Sequence, residues 1–339
     1  MRSARFFRVG ISTLIVTLAG MASADGALTF TDLGHLGGGA SRPRAISADG
    51  TIVVGDSTNG SGQTEAFLWK AGVMVPLGFP GDSGYSSAAA VDTLPGDVVK
   101  LAVNGTLDGD TWAYLWSGNS AGVGTYVGSL RFSNGYISHA SGIIASGTDV
   151  VVCGYGNRID WDPGCGNYHG WRYRQSSAVC EDVGALPGGG YPVRCMGISS
   201  DLKLAGTAQY GSTANCAGTP QAFVWNEGAF TIVDPIVGPP STSNAGIGNA
   251  ISRNGAYVVG RSHRTAAGDW QAFRGSGGPG NTIGIPYLPG DTYSEALAVS
   301  GDGSRVGGYS GDPDRKAVSY THLRAHETPE HLVCRLLLE

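Results

Sequence analysis

Residues 45–78, AISADGTIVVGDSTNGSGQTEAFLWKAGVMVPLG, are the unit that this chain keeps rewriting. Ala45-Ile46-Ser47 reads as a short strand whose small first residue permits close approach to neighbours near a crowded axis. Asp49-Gly50 supplies the chemistry of a tight hairpin turn, since Gly tolerates positive φ at no steric cost. Thr51 to Val54 is an uninterrupted apolar run, as expected of a strand covered on both faces, and Gly55 should end it where the backbone bends. Ala66-Phe67-Leu68-Trp69 forms a third strand whose rings alternate onto one face. A second turn leads into a fourth strand, Val73 to Leu77.

Two anchors of the unit recur at about 50-residue intervals, a spacing that marks repeat architectures. The first is the apolar pair before the turn: Ala45-Ile46, Ala90-Val91, Gly142-Ile143, Gly197-Ile198, Ala250-Ile251 and Ala298-Val299. The second is the aromatic box: Ala66 to Trp69, Ala113-Tyr114-Leu115-Trp116, Gly170-Trp171-Arg172-Tyr173, Ala222-Phe223-Val224-Trp225 and the shorter Ala272-Phe273-Arg274. Four short strands per repeat predict an all-β fold, a β-propeller of about six four-stranded blades. Further fourth strands are expected at 124–128, 179–186, 230–233 and 283–288, most followed by Gly/Pro links such as Pro187-Gly188. Leu28 to Leu36 resembles another fourth strand, placed to complete the last blade and cover exposed sheet edges.

Two flanking segments read as foreign to this pattern. Arg2, Arg5 and Arg8, the apolar stretch Val9 to Leu18, and the small residues Ala22-Ser23-Ala24 compose a signal peptide over 1–24. The stretch is too short to span a bilayer, and the mature chain holds no transmembrane segment. At the other end, an adapter of the kind used in sequencing libraries, translated in one frame, gives residues 318–327, and its continuation gives 332–338. Residues 317–339 are therefore read as a non-native tail, against the alternative of a natural helix bearing a metal site at His322, His326 and His331. The expected domain is 25–316, truncated at its C-terminus inside the sixth repeat.

Glycine, 56 of 339 residues, is about twice as frequent as in ordinary globular proteins. Setting aside three arginines in 1–24, and two arginines and three glutamates in 317–339, leaves 17 basic and 24 acidic residues. Without a basic patch, a nucleic-acid partner is excluded. The cysteines of an exported chain can oxidise. Cys165 with Cys180, and Cys195 with Cys216, each close a loop within one repeat, and Cys153 is left as a small apolar strand residue; the odd count leaves connectivity open.

The order Asp32-Leu33-Gly34-x-Leu36-Gly37-Gly38, Ala45-Ile46-Ser47-x-Asp49-Gly50, Val53-Val54-Gly55 and Ala66 to Trp69 resembles the HAF-repeat family of bacterial extracellular proteins, over essentially all of 28–316. The chain departs from the family's His-Ala-Phe: Glu65, Gln221 and Gln271 stand at the first position, and His169 alone supplies a histidine before a box. The resemblance implies a secreted, propeller-like repeat protein with no established catalytic activity, and it transfers no catalytic residues.

The third repeat carries an insertion from Asn157 to His169. Asp160, Trp161, Asp162, Tyr168 and His169 there are the candidate ligand-binding residues, by ring stacking on a sugar or by Ca²⁺ coordination through the two aspartates. Against this stands a plain solvated loop. Asp108-Gly109-Asp110 and Asp312-Pro313-Asp314 have the oxygen density of calcium loops but lack the distal Glu, so they read as turns. No Gly-x-Ser-x-Gly elbow with a histidine partner occurs, and the acidic residues, mostly at turns, show no pairing suited to glycoside hydrolysis. The expected protein is secreted (periplasmic, extracellular or on the cell surface) and binds a glycan or protein partner. The alternative is a carbohydrate-active enzyme, a hydrolase or lyase, using loop carboxylates. N-terminal sequencing of the exported protein should begin at Asp25; a retained Met1 would refute cleavage after Ala24.

Overall fold

The computed structural model describes residues 31–321 apart from 82, 131–136, 147–148, 158–167, 188, 212–217, 239, 241–243, 265–268, 279 and 312–315. The described chain forms six successive antiparallel sheets, the blades of a β-propeller. Blade 1 holds β1 (Gly37–Ile46), β2 (Ile52–Asn59), β3 (Thr64–Lys70) and β4 (Val73–Pro76). Blade 2 holds β5 (Ser83–Leu94), β6 (Val98–Leu107), β7 (Asp110–Asn119) and β8 (Gly124–Ser129), joined to blade 1 by one parallel bridge between Thr64 and Tyr85. Blade 3 holds β9 (Ser138–Ser146), β10 (Asp149–Asn157), β11 (Tyr168–Arg174) and β12 (Val179–Asp182). Blade 4 holds β13 (Gly189–Ile198), β14 (Leu204–Tyr210), β15 (Thr219–Asn226) and β16 (Ala229–Ile232). Blade 5 holds β17 (Gly246–Ile251), β18 (Val258–His263), β19 (Trp270–Gly275) and β20 (Thr282–Gly284). The sixth sheet has three described strands, β21 (Ser294–Val299), β22 (Arg305–Ser310) and β23 (Lys316–Thr321).

The aromatic box occupies the third strand of each of the first five blades, as its alternation predicts. Its two faces do different work. Tyr114 and Trp116 pack back onto Ala66 and Leu68 of blade 1, and Trp171 packs onto Ala113 and Leu115 of blade 2. Phe223 and Trp225 face blade 3, and Phe273 meets Ala222 of blade 4. Each ring face thus fills the wedge over the small-residue face of the blade before it. The five described cores are the five interfaces between consecutive blades. Burial of such rings removes large apolar areas from water, which makes these interfaces the main source of stability. Buried serines add a polar stitch: the amides of Ala66, Ala113 and Ala272 donate to Ser86, Ser138 and Ser294 of the next blade, at 2.9, 3.0 and 2.9 Å.

The inner strands are much longer than the three residues expected from Ala45-Ile46-Ser47. Just before the apolar pair each inner strand carries a bulge, between Pro43 and Ala45, Ala88 and Ala90, Ala140 and Gly142, Cys195 and Gly197, Gly248 and Ala250, and Ala296 and Ala298. The extra residue breaks the two-residue alternation, so the sequence pattern stops reading as strand there. Gly55 and Gly260 do not end their strands either, because β2 runs on to Asn59 and β18 to His263. They lie against the bulge: a Cβ on Gly55 would run into the Arg42 carbonyl, and one on Gly260 into that of Ile247. Gly154, Gly206 and Gly308 make the same approach to His139, Arg194 and Glu295, while blade 2 has Val103 at this place.

Other expectations are also adjusted. Residues 31–36 form no strand, and Leu28 to Phe30 lie outside the described residues. The fourth strands β12 and β20 stop early, at Asp182 and Gly284. Gly184 turns the chain at φ +83°, and just past these ends Val183, Leu186 and Ile285 enter the cores, Val183 and Ile285 still donating to the Gly170 and Ala272 carbonyls of the third strands. Residues 316–321 pair with β22 from Ser310 back to Arg305, although 317 onward was read as foreign. Backbone pairing is indifferent to sequence, and Val-Ser-Tyr-Thr suits a strand. Among the described residues, no helix is long and apolar enough to cross a membrane.

At the turn end of the inner strands, four blades share one hairpin. Ser47, Ser199, Ser252 and Ser300 donate to Asp49, Asp201, Asn254 and Asp302 at 2.6, 2.5, 2.7 and 2.6 Å. Blade 2 has Asp92 where these serines stand, and blade 5 has Arg253 beside its serine. Arg253 reaches from blade 5 to Asp92 of blade 2 with a two-pronged pair, 2.9 and 3.2 Å. The Asp92 side chain is 2% exposed and also accepts the Ala145 amide of blade 3 at 2.8 Å. Removing one partner of such a buried pair strands the other charge. Arg253→Ala should cost about 1.5–3 kcal/mol, read as a lower urea midpoint at unchanged slope; an unaltered midpoint would mean the bridge adds nothing.

Candidate functional site

The bulge and its glycine place a matched pair of side chains at one level of every blade. Residues facing each other there are Arg42 and Asp56, Ser87 and Asn104, His139 and Tyr155, Arg194 and Thr207, Ile247 and Arg261, and Glu295 and Tyr309. The surrounding framework repeats and these pairs do not. In blades 1 and 2 they join neighbours. Asp56 accepts from Arg44 Nε at 2.8 Å and from Ser87 at 2.9 Å, and Asn104 exchanges two hydrogen bonds with the Ala140 backbone at 2.8 and 3.1 Å.

Blades 3 to 6 differ. His139 stacks on Tyr155 at 5.1 Å between ring centres, and Tyr168 meets Tyr155 edge-on at 5.5 Å. The exposed guanidinium of Arg194 lies over Tyr168 at 4.7 Å and Tyr155 at 5.5 Å. Burial, aided by the Arg194 charge, holds the His139 imidazole below its usual range, so it is neutral near pH 7. Across blades 5 and 6, Arg261 lies over Trp270 at 4.8 Å and pairs with Glu295 at 3.3 Å. Glu295 also accepts from Tyr309 at 2.6 Å, Tyr293 at 3.0 Å and Asn249 at 2.8 Å. Between the two groups, a cavity of about 280 Å³ opens between blades 4 and 5, at the small end of ligand-pocket sizes. Arg194, Met196, Thr207, Gln209, Ile247 and Asn249 are among its lining residues.

Of the residues singled out in the sequence, Tyr168 joins the aromatic group. His169 does not face solvent: it is fully buried, donates from Nδ1 to Asp182 at 2.7 Å, and stacks on Tyr191 at 3.6 Å. Asp160, Trp161 and Asp162 lie outside the described residues, as do Cys165, Cys216 and Asp312 to Asp314. Cys180 and Cys195 are free thiols among the described residues, so neither expected disulfide is seen. Cys195 and Cys153 are instead buried in one core between blades 3 and 4, where burial pushes the Cys153 thiol up to about 12 and Cys195 well above its usual value. Both are protonated packing residues. Asp108-Gly109 is a tight turn with both residues at positive φ, as read. No group of three or more described His, Cys, Asp or Glu residues is arranged to hold a metal.

Sequence reasoning missed Arg194, Arg261, Glu295 and Asn249. A signal was present: the position after the second-strand glycine changes from Asp56 to Tyr155, Thr207 and Arg261 while its flanks hold. The bulge hid the inner-strand partners by shifting their register.

Burial alone would raise the Glu295 carboxyl, but the hydrogen bonds from Tyr309 and Asn249, the Arg261 charge and the Tyr293 hydroxyl outweigh it and hold it below the usual range. A carboxylate whose folded value is depressed stabilises the fold above its unfolded value, about 4.3, and loses that contribution as pH falls through the folded value. Glu295→Gln should lower stability at pH 7 and flatten the loss seen below about pH 4.3 in urea titrations. Equal pH profiles for the two proteins would refute this.

No family model matches the chain, and no curated protein matches it. Solved structures similar to it include a puromycin-hydrolyzing peptidase of Mycobacterium tuberculosis, 13% identical over 89% of this chain and 47% of that one, TM-score 0.50. TolB from Acinetobacter baumannii is 13% identical over 81% of this chain and 62% of its own, TM-score 0.49. The acylaminoacyl peptidase of Pyrococcus horikoshii is 12% identical over 88% and 46%, TM-score 0.48. The chain spans less than two thirds of the length of each of these three. The likeness to the mycobacterial peptidase concerns the fold alone.

Proposed function

We propose that this protein is an exported, non-enzymatic repeat protein of the HAF-repeat type, whose propeller binds a glycan through the variable pairs of blades 3 to 6. Residues 1–24 act as its export signal, and 317–339 are a tail foreign to it. The observation that carries the reading is the contrast at one level of the blades. The repeated residues are accounted for by packing, whereas His139, Tyr155, Tyr168 and Arg194, and separately Arg261 and Trp270, form ring and guanidinium groups, and Arg194 also lines the cavity between blades 4 and 5. Partly exposed rings with neighbouring polar groups suit the alternating apolar and hydroxyl faces of sugars.

The enzyme alternative is less well supported. Hydrolysis of a glycosidic bond takes two carboxyl groups, one of them protonated at working pH. The carboxylates at this level, Asp56 and Glu295, are each held by an arginine, and Glu295 is kept ionised. An array of glycans probed with residues 25–316 should show retained saccharides. Tyr168→Ala should weaken that binding about tenfold, the 1.4 kcal/mol of one well-stacked ring. Retention of no saccharide by the folded protein would sink the glycan reading.

A further inference from the structure

We propose that the cavity between blades 4 and 5 takes a sugar unit bearing an anionic group, a carboxylate or a sulfate ester, with Arg194 as its charge partner. This rests on the glycan reading above and narrows it. Arg194 is the charged side chain of the cavity wall; the other polar groups there, Thr207, Gln209 and Asn249, are neutral. Several other arginines are matched by carboxylates, Arg44 by Asp56, Arg172 by Glu181 and Glu227, Arg253 by Asp92 and Arg261 by Glu295, and the buried Arg274 donates to the Gly303 carbonyl and lies over Tyr257. Among the described residues Arg194 has no carboxylate partner, and its contacts are the Tyr155 and Tyr168 rings.

Those rings attract the cation through their faces, and the planar guanidinium carries its donors along its edge. A planar fork held this way matches two oxygens of one anion. The neutral His139 beside it does not compete as a second cation. Gln209 supplies a second sign of a ligand. Its side-chain oxygen is buried and has no hydrogen-bond partner among the described residues. Rotation about its terminal torsion, which is soft, turns that acceptor to the cavity, where a sugar hydroxyl would satisfy it. Inorganic anions carry no such array of donors, so cation and acceptor together favour a sugar over a bare ion.

The test is calorimetric titration of the exported protein with oligosaccharides of equal length that are neutral, uronate-bearing or sulfated, and with an acidic peptide. The wild-type protein should bind one anionic saccharide about 10–100-fold more tightly than the neutral one, and less tightly as salt is raised. Whether the uronate or the sulfated chain is preferred identifies the anion. Arg194→Gln should remove the preference, bringing the affinity for the anionic chain down to that for the neutral one, with the melting temperature in place. Arg194→Lys should restore part of it, because Lys keeps the charge without the fork. Should Arg194→Gln fail to fold, competition against the wild-type complex by free uronate and by its neutral counterpart makes the same comparison. Equal affinity for neutral and anionic chains, or a preference that survives Arg194→Gln, overturns this proposal and leaves the glycan reading standing. Binding of no saccharide overturns both, and tighter binding of the acidic peptide than of any sugar overturns the choice of ligand.

Discussion

The architecture depends on how closely the first two strands of a blade approach each other at the bulge. There the inner strand carries one residue too many, and in every blade but the second its carbonyl is driven against the second strand where only hydrogen fits. Gly55, Gly154, Gly206, Gly260 and Gly308 meet that demand. The bulge increases local twist and re-aims the residues beside it. Arg44 and Asn249, the extra residues of β1 and β17, therefore reach sideways, to Asp56 and to the next blade's Ala296 and Glu295. One backbone device thus sets both the twist of the blades and the level at which their variable side chains gather.

Inter-blade packing follows from the same repeat. Rings on one face of the third strand and Ala or Gly on the other let each blade nest into its predecessor. Ile143, Ile198 and Ile251, at the ends of inner strands, are 7%, 8% and 8% exposed, whereas Ile46 of blade 1 is 58% exposed. Position within the array, not residue type, decides that difference. Arg172 shows how the rule bends: it stands on the aliphatic side of its box, lies over Trp225 at 4.7 Å, and is neutralised by Glu181 and Glu227. A buried charge is tolerated there because its partners and a ring face replace water.

The candidate site has a different logic from the frame. In blades 1 and 2, Asp56, Ser87 and Asn104 of the variable pairs hold neighbouring blades together. Blades 3 to 6 carry larger rings and arginines at the same level, and a cavity lined in part by Arg194 opens between blades 4 and 5. A propeller can vary these pairs without disturbing its cores, since they lie on the first two strands of each blade and not on the strand that carries the nested rings. That separation lets one scaffold vary these side chains at little cost in stability.

The sequence by itself determined the all-β repeat of a propeller, the turns at Asp49-Gly50 and Asp108-Gly109, and the strand that each aromatic box would occupy. Those are local matters: turn chemistry, alternation and period are written in neighbouring residues. The tertiary structure alone decided that His169 is a core residue and that Arg194 belongs with Tyr155 and Tyr168, which come from a different blade. It also decided that Asp92 and Arg253, 161 positions apart, form one pair. The reason is physical. A bulge shifts register without leaving a periodic trace, and contacts between blades depend on where the chain returns rather than on what stands beside a residue in the chain.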